Sequence, residues 1–268
     1  MKNSTKHIAN SPIGIFDSGL GGLSICKEII ELLPNESIVY LADSINAPYG
    51  EKSKEDIIQL SIKNTELLLE LNCKVIVVAC NTATTNAISI LRERFDVPII
   101  GIEPAIKPAA LQTKTGKIGV LATEGTLKSE LFLLTAEQFR DSLELIEIKG
   151  ENLVRLIEAG EMEKTKPLLI KYLLPMIEAG VDNIVLGCTH YPFLIPLIKE
   201  IVPDSIVIID SGRAVAKQTQ VILSSQNILS NDSGIGEKVF YTNNDLQIFE
   251  SFLRKIDVQA KLISFRNF

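Results

Sequence analysis

The sequence lacks the features that would tie it to nucleic acid. Its 268 residues include 27 lysines and arginines against 33 aspartates and glutamates, which gives a formal net charge of −6. The basic residues are scattered among acidic ones rather than gathered on one stripe, so there is no basic footprint for a phosphate backbone. We therefore expect no nucleic-acid partner.

A membrane segment is also missing. No stretch offers the roughly 18 uninterrupted apolar residues that a membrane-spanning helix needs. The leader up to Pro12, MKNSTKHIANSP, is polar and lacks the apolar core of a signal peptide. The sequence predicts a cytoplasmic protein with no membrane partner, and we expect the leader to be a flexible tail in which His7 has no function.

Cysteine is scarce and never occurs as CxxC. The chain has four cysteines, Cys26, Cys73, Cys80 and Cys188. In a chain of this length they fit free thiols in a reducing compartment better than a disulfide framework, and no metal site is predicted. Cys26 and Cys73 lie in apolar surroundings, where we expect packed core thiols.

What the sequence does contain is an alternation of short apolar runs and longer amphipathic segments. Residues 54–71 and 152–161 carry apolar positions near the helical period with charged residues between them. The apolar runs are unbroken, which is typical of strands buried on both faces of a parallel sheet. Seven runs are of this kind: IGIF, SIVYLAD, KVIVVAC, VPIIGI, KIGVLA, NIVLGC and SIVIID. The rhythm predicts an α/β protein whose parallel sheets are covered by helices.

The chain also repeats itself in order, which predicts two pseudo-symmetric lobes of one topology. Three segments of the first half resemble three of the second half at offsets of 105, 108 and 109 residues. The pairs are 13–16 with 118–121, 75–80 with 183–188, and 99–105 with 208–214. Convergent strand composition is the alternative explanation, but the chain is also longer than a single core usually requires. We place the first lobe at residues 1–103 plus 213–268 and the second at residues 104–212.

Two cysteines fall at equivalent positions in the two predicted lobes. Cys80 ends the run KVIVVAC, and Cys188 ends the run NIVLGC. In open parallel sheets, ligands bind outside the carboxyl ends of the strands, so both thiols are predicted to line the cleft between the lobes. Each thiol taken singly would more often belong to a core. A facing pair, however, can remove a proton from one side of a carbon and deliver one to the other, which inverts that carbon.

The residues that follow the two cysteines suit an anionic substrate. Asn81-Thr82 and Thr189-His190 look like helix starts, where backbone N–H groups stabilise a thiolate and bind carboxylates. Asp17 could be a helix N-cap after a strand, and so could Asp43. We favour a functional role for Asp17.

Four motifs carry a family resemblance. DSGLGGLS, ADSINAPYG, ACNTAT and GCTHYP occur in this order, and the sequence resembles the glutamate racemases of the aspartate/glutamate racemase superfamily over nearly its whole length. The resemblance implies racemisation of L-glutamate to D-glutamate for peptidoglycan synthesis by a two-base thiol mechanism. It further implies that no cofactor takes part and that the chain forms a homodimer.

The same resemblance assigns roles to individual residues. Cys80 and Cys188 are implied to be the catalytic pair, each the base for one enantiomer and the acid for the other. Asp17 is implied to assist Cys80, His190 to assist Cys188, and Glu158 to be the acidic residue near the second thiol. Substrate contacts fall on Asp17, Ser18, Tyr49, Gly50, Asn81, Thr82, Thr189 and His190.

Other functions stay open at this point. An aspartate racemase or another amino-acid racemase would keep the fold, since one methylene separates the two acidic substrates. A two-lobed ligand-binding protein has no need of paired thiols. A cysteine hydrolase, with Cys188 as nucleophile and His190 as base, leaves Cys80 unexplained, and neighbours at one strand end are not expected to face each other. A PLP-dependent racemase needs a Schiff-base lysine and a phosphate cup, for which the sequence makes no case.

Overall fold

The structure is a computed structural model that describes residues 9–268. The first eight residues of the leader, with His7, lie outside the described part. Within it, the expected flexible tail is not found, because Ala9 is buried and its carbonyl accepts a hydrogen bond from Lys74 Nζ at 2.5 Å. No helix between residues 9 and 268 is both long and apolar enough to cross a membrane.

Ten strands of the described chain form two separate sheets. They are β1 Ile13–Asp17, β2 Ile38–Ala42, β3 Val75–Val78, β4 Ile99–Gly101, β5 Lys117–Ala122, β6 Glu144–Lys149, β7 Asn183–Gly187, β8 Val207–Ile209, β9 Lys238–Thr242 and β10 Leu262–Phe265. The larger sheet has the order β10-β9-β2-β1-β3-β4 and the smaller sheet has the order β6-β5-β7-β8. Every strand pair is parallel. The prediction of an α/β protein with mainly parallel sheets is confirmed.

Helices connect the strands and cover the sheets. Those in residues 9–268 are α1 Leu23–Leu32, α2 Lys54–Glu70, α3 Asn81–Arg94, α4 Ile106–Gln112, α5 Glu124–Leu127, α6 Glu130–Glu137, α7 Leu153–Glu158, α8 Lys166–Ala179, α9 Ile195–Lys199, α10 Gly212–Ser225 and α11 Leu246–Lys255. Short 3₁₀ turns lie at Ser44–Asn46, Tyr49–Glu51, Met162–Thr165 and Tyr191–Leu194. Helix α2 shows how the sequence sets a boundary, because the Ser53 hydroxyl accepts the Asp56 N–H at 3.1 Å and caps its first turn.

The two sheets share one topology. In each, the first strand lies at the centre with the second strand on one side and the third and fourth on the other, so β2-β1-β3-β4 corresponds to β6-β5-β7-β8. The three repeat pairs in the sequence fall on β1 and β5, on β3 and β7, and on β4 and β8. The repeat is therefore a structural repeat and not a coincidence of strand composition.

The chain crosses between the sheets twice. It leaves the larger sheet after β4 and returns after β8, where α10 packs against α1. The two crossings touch, because the Ser211 hydroxyl donates to the Glu103 carbonyl at 2.6 Å. The smaller sheet is thus an insertion whose two ends meet.

Three strands and two helix limits differ from the sequence prediction. Strands β6, β9 and β10 were not predicted, because none of them shows an unbroken apolar run. In β9, buried residues alternate with half-buried ones, and β6 and β10 lie at the edges of their sheets. The helix expected over residues 152–161 is the shorter α7, and it is followed by Gly160 in the left-handed region at φ +74°. After Cys188 the chain forms a 3₁₀ turn rather than the expected α-helix start, because Pro192 and Pro196 interrupt the helical hydrogen bonds.

Candidate active site

Cys80 and Cys188 line one cavity between the two sheets. Cys80 lies just beyond β3 and Cys188 just beyond β7, the equivalent strands of the two repeats. Their cavity is nearly closed, with a volume of about 10 Å³. Its other lining residues are Ser18, Pro48, Tyr49, Gly50, Asn81, Thr82, Thr123, Val154, Thr189 and His190. The structure thus brings the two predicted thiols together on one small space.

Cys80 is the N-cap of α3. Its backbone is extended, and its sulfur accepts the Ala83 N–H at 3.5 Å. The thiol also lies 3.6 Å from the Ser18 hydroxyl, to which it can donate. Burial raises the pKa of the Cys80 thiol well above its usual value, and the negative charge of Asp17 raises it further. Cys80 is therefore a thiol at neutral pH.

Cys188 contacts an ionisable pair, His190 and Glu158, whereas Cys80 contacts a hydroxyl. Its sulfur lies 3.8 Å from Nδ1 of His190, and Nε2 of the same ring lies 2.5 Å from Oε1 of Glu158. The expectation that Cys188 and His190 would not face each other is wrong. The tight turn after β7, in place of an α-helix, folds the ring of His190 back onto the sulfur two residues earlier.

Glu158 is held in place from the other lobe. The Leu20 N–H donates to its Oε1 at 2.6 Å, and the Ser44 hydroxyl donates to its Oε2 at 2.8 Å. Burial by itself lowers the pKa of His190, but its contacts with Cys188 and Glu158 outweigh burial and raise that pKa well above its usual value. These contacts favour the charged ring, with Nε2 toward Glu158 and Nδ1 toward Cys188, and the Gly21 N–H also lies 3.2 Å from Nε2.

Two glycines of the DSGLGGLS loop make room for this pair. A Cβ on Gly19 would lie 2.0 Å from Oε1 of Glu158, and a Cβ on Gly21 would lie 2.3 Å from Nδ1 of His190. No side chain fits at either position without moving the carboxylate or the ring. The glycines of this loop therefore serve a close approach between the two lobes.

Asp17 lies behind the cavity and does not line it. Its carboxylate accepts the N–H groups of Gly19 and Gly22 at 3.1 and 3.0 Å and the Thr189 hydroxyl at 3.3 Å. Burial raises the pKa of Asp17 to about 6, against the lowering effect of the His190 charge. Asp17 thus organises the start of α1 and touches the second lobe through Thr189, whereas the hydroxyl beside Cys80 is that of Ser18.

Seven of the eight predicted substrate-contact residues line the cavity. They are Ser18, Tyr49, Gly50, Asn81, Thr82, Thr189 and His190. Asn81 is the most informative of them, because its side-chain amide is buried and neither Nδ2 nor Oδ1 has a hydrogen-bond partner. A buried amide without partners is costly, so a polar ligand in the cavity is the natural partner for it.

Tyr49 is fixed by a buried network centred on Asp43. The Tyr49 hydroxyl donates to Asp43 Oδ2 at 2.5 Å and accepts from Asn64 Nδ2 at 3.1 Å. Asn243 donates to the other carboxylate oxygen of Asp43 at 2.6 Å. Asp43 is therefore not a side-chain helix cap; its carboxylate positions the tyrosine that closes one wall of the cavity.

Three lining residues were missed by the sequence analysis: Pro48, Thr123 and Val154. Thr123 could have been found, because it follows β5 at the same offset of 105 residues at which Ser18 follows β1. Its hydroxyl lies 2.9 Å from that of Thr82, which joins the two lobes at the cavity wall. Within residues 9–268, no group of three or more His, Cys, Asp or Glu side chains is arranged to hold a metal ion.

Two parallel α/β repeats that face each other with a buried thiol at matching strand ends define a two-lobed α/β enzyme with its candidate site between the lobes. A family model described as Asp/Glu/Hydantoin racemase matches residues 13–219, and the chain belongs to that family. The glutamate racemase of Herpetosiphon aurantiacus is 43% identical over 252 residues, which cover 93% of this chain and 99% of the relative.

Solved structures agree with this assignment. The crystal structure of glutamate racemase isoform RacE1 from Bacillus anthracis matches with a TM-score of 0.86 at 32% identity and covers 98% of each chain. The structure of Escherichia coli glutamate racemase in complex with L-glutamate and the activator UDP-MurNAc-ala matches with a TM-score of 0.82 at 30% identity, over 95% of this chain and 97% of that one. The two-lobed fold is therefore that of the glutamate racemases.

Proposed function

We propose that the protein interconverts L- and D-glutamate without a cofactor and so supplies D-glutamate for peptidoglycan. The observation that carries the proposal is the pair of thiols, Cys80 and Cys188, at equivalent strand ends on one cavity. The identity to curated glutamate racemases over nearly the whole chain supports glutamate as the substrate. The solved complex of a related enzyme with L-glutamate supports it as well.

The reaction needs one base and one acid on opposite faces of the α-carbon. A thiolate removes the α-proton, the C–H bond breaks, and its electron pair is delocalised into the adjacent carboxyl group. The thiol on the other face then donates its proton to the same carbon, so the configuration inverts. The charges around the sulfurs support Cys80 as the initial acid, because its thiol is held neutral, and Cys188 as the initial base beside protonated His190.

Other residues of the site are proposed to position and to bind. His190 and Glu158 hold a proton beside Cys188, and Ser18 and Asp17 act on the Cys80 side. The N–H groups at the start of α3 and the unpartnered amide of Asn81 are suited to a substrate carboxylate. The remaining substrate contacts are proposed at Tyr49, Gly50, Thr82, Thr189 and His190.

The proposal extends to organisation. We place the lobe limits at residues 1–103 plus 213–268 and residues 104–212, which the membership of the two sheets supports. We propose that the protein works in the cytoplasm, where the precursors of peptidoglycan are made, and that it forms a homodimer, as its resemblance to the family implies.

The test is incubation of the purified protein with L-glutamate in D₂O, without added PLP or metal. Optical rotation reports racemisation, and proton NMR reports deuterium at the α-carbon. Loss of rotation together with gain of deuterium is the expected result. If both stay flat with glutamate and appear with aspartate, the substrate assignment is wrong, and a protein inert toward both is not an amino-acid racemase.

Cysteine variants test the two-base step. Cys80→Ala and Cys188→Ala should each lower racemisation by several orders of magnitude, because each removes either the base or the acid. Each variant should still exchange the α-proton of the one enantiomer that its remaining thiol faces. A cysteine hydrolase with the Cys188–His190 pair would need only Cys188, so full activity of Cys80→Ala would contradict the proposed mechanism.

A further inference from the structure

An ion pair crosses the mouth of the catalytic cavity. Arg155 Nε donates to Glu51 Oε1 at 3.0 Å, and Arg155 Nη2 donates to Glu51 Oε2. Glu51 follows β2 of the larger sheet, whereas Arg155 lies in α7, after β6 of the smaller one. The residues directly before them, Gly50 and Val154, both line the cavity. The pair therefore joins the two lobes beside the cavity.

The pair also lines an outer cleft of about 250 Å³. This cleft shares Pro48, Gly50, Thr123 and Val154 with the catalytic cavity, so the two spaces are adjacent. It contains two cations, Arg155 and Lys149. Lys149 is neutralised by Glu124 at 2.5 Å and by Glu151 at 3.4 Å. Every cation that lines the cleft is thus paired with a carboxylate of the protein.

The inner cavity offers much less positive charge. Among the described residues that line it, His190 is the one side chain able to carry a positive charge, and that ring is already bonded to Glu158. Glutamate brings two carboxylates, and the protein as a whole carries a net charge of −6. An approaching dicarboxylate therefore meets repulsion overall and needs a cation near the opening.

We propose that Arg155 is a substrate-capture residue: its guanidinium exchanges the carboxylate of Glu51 for a carboxylate of the incoming dicarboxylate at the mouth of the cavity. The inference rests on the proposed function and adds an outer binding site to it. A guanidinium presents two parallel N–H groups to either carboxylate, so the exchange keeps the same bidentate geometry. Both side chains are about half exposed, 57% for Arg155 and 47% for Glu51, so the internal pair is weak enough to be displaced.

Opposite charge changes on the two partners test the proposal. Arg155→Gln should raise KM for both enantiomers about fivefold, which corresponds to the ~1 kcal/mol upper value of an exposed ion pair. Glu51→Gln should lower KM by about twofold to fivefold, because it frees the guanidinium. Arg155→Lys keeps the charge but loses the two parallel N–H groups, so its KM should lie between those of the wild type and Arg155→Gln. In each variant KM should move more than kcat, and high salt should raise the KM of wild type more than that of Arg155→Gln.

Matched controls exist in the Arg94–Glu66 pair, with exposed fractions of 52% and 47%. Arg94 lies in the last turn of α3, about 20 Å along the helix from the cavity end. Arg94→Gln and Glu66→Gln make the same charge changes and should leave KM unaltered. Circular dichroism checks that all variants are folded.

The outcomes separate the possibilities. Opposite shifts of KM in Glu51→Gln and Arg155→Gln support capture. Shifts of the same sign would show that the pair only clamps the lobes together, and shifts no larger than those of the controls would show that it has no role in binding; either result overturns the proposal. A wild-type protein that does not racemise glutamate refutes the proposed function instead, which this series detects before any variant is compared.

Discussion

The close approach of Gly21 to His190 makes a sharp prediction about the DSGLGGLS loop. In Gly21→Ala the new Cβ would lie 2.3 Å from Nδ1 and 2.7 Å from Cγ and Cε1 of the ring. The backbone at Gly21 is not in the left-handed region, so alanine causes no conformational strain there and the effect is purely steric. Since an ordinary contact of a Cβ begins at 3.4 Å, the ring must retreat by about 1 Å.

The ring has little space for this movement. It is buried, with Cys188 on one nitrogen and Glu158 on the other. Overpacking of this kind costs about 1–3 kcal/mol of folding stability. A misplacement of ~1 Å at a reacting group costs about 100-fold in rate. We expect kcat/KM to fall by about that factor in Gly21→Ala.

The assay is racemisation from each enantiomer, together with urea unfolding. L- and D-glutamate have the same free energy, so kcat/KM must fall by one common factor in both directions. Gly234→Ala is the control, because a Cβ there meets nothing within 4 Å. In a His190→Ala background, Gly21→Ala should lower the free energy of unfolding much less than it does in the wild type, because the ring that its Cβ would meet is absent. A folded Gly21→Ala with a rate within threefold of wild type would refute the reasoning.

Two further predictions concern stability. Burial raises the pKa of Asp17 from 3.8 to about 6, so the folded state binds a proton that the unfolded state has lost, and stability falls by about 3 kcal/mol as pH rises from about 4 to about 6. Asp17→Asn should therefore become more stable relative to wild type across this window in urea unfolding, and a difference independent of pH would contradict the raised pKa. Lys74 and Glu36 form a buried ion pair at 2.5 Å, with side chains 0% and 3% exposed. Lys74→Met should cost about 3–5 kcal/mol, part of which Lys74→Met/Glu36→Leu should restore, with kcat unchanged because the pair lies at the opposite end of the strands from the cavity; a single variant as stable as wild type would speak against this assignment.

Which strands the sequence could predict depended on where they lie in the sheets. The runs around β1, β3, β5 and β7 are buried on both faces and are apolar without interruption. Strand β6 reads ELIEIK, with exposed residues at Glu144, Glu147 and Lys149, because it is an edge strand that is poorly covered on both faces. A pattern of unbroken apolar residues cannot detect such a strand, although the repeat could have, since β6 follows β2 by 106 residues.

The candidate site also has features that the sequence could predict and features that it could not. The meeting of Cys80 and Cys188 was predictable, because it depends on topology alone: parallel strands end at one edge, and the repeat places both thiols there. The contact of Cys188 with His190 was wrongly excluded, because it depends on the path of a single turn. Nothing in the sequence relates Glu51 to Arg155, its partner 104 positions later. Side-chain pairs across the lobes follow from the way the two sheets pack, which no local pattern records.

The hydrogen bond between Ser211 and Glu103 has a mechanical consequence. Because the two linkers of the inserted lobe are tied side by side, we expect any turning of this lobe to pivot where they meet. A turn about this point would change the width of the mouth and the separation of the two sulfurs together. We therefore expect a substitution that breaks the Ser211–Glu103 bond to affect product release and proton transfer at the same time.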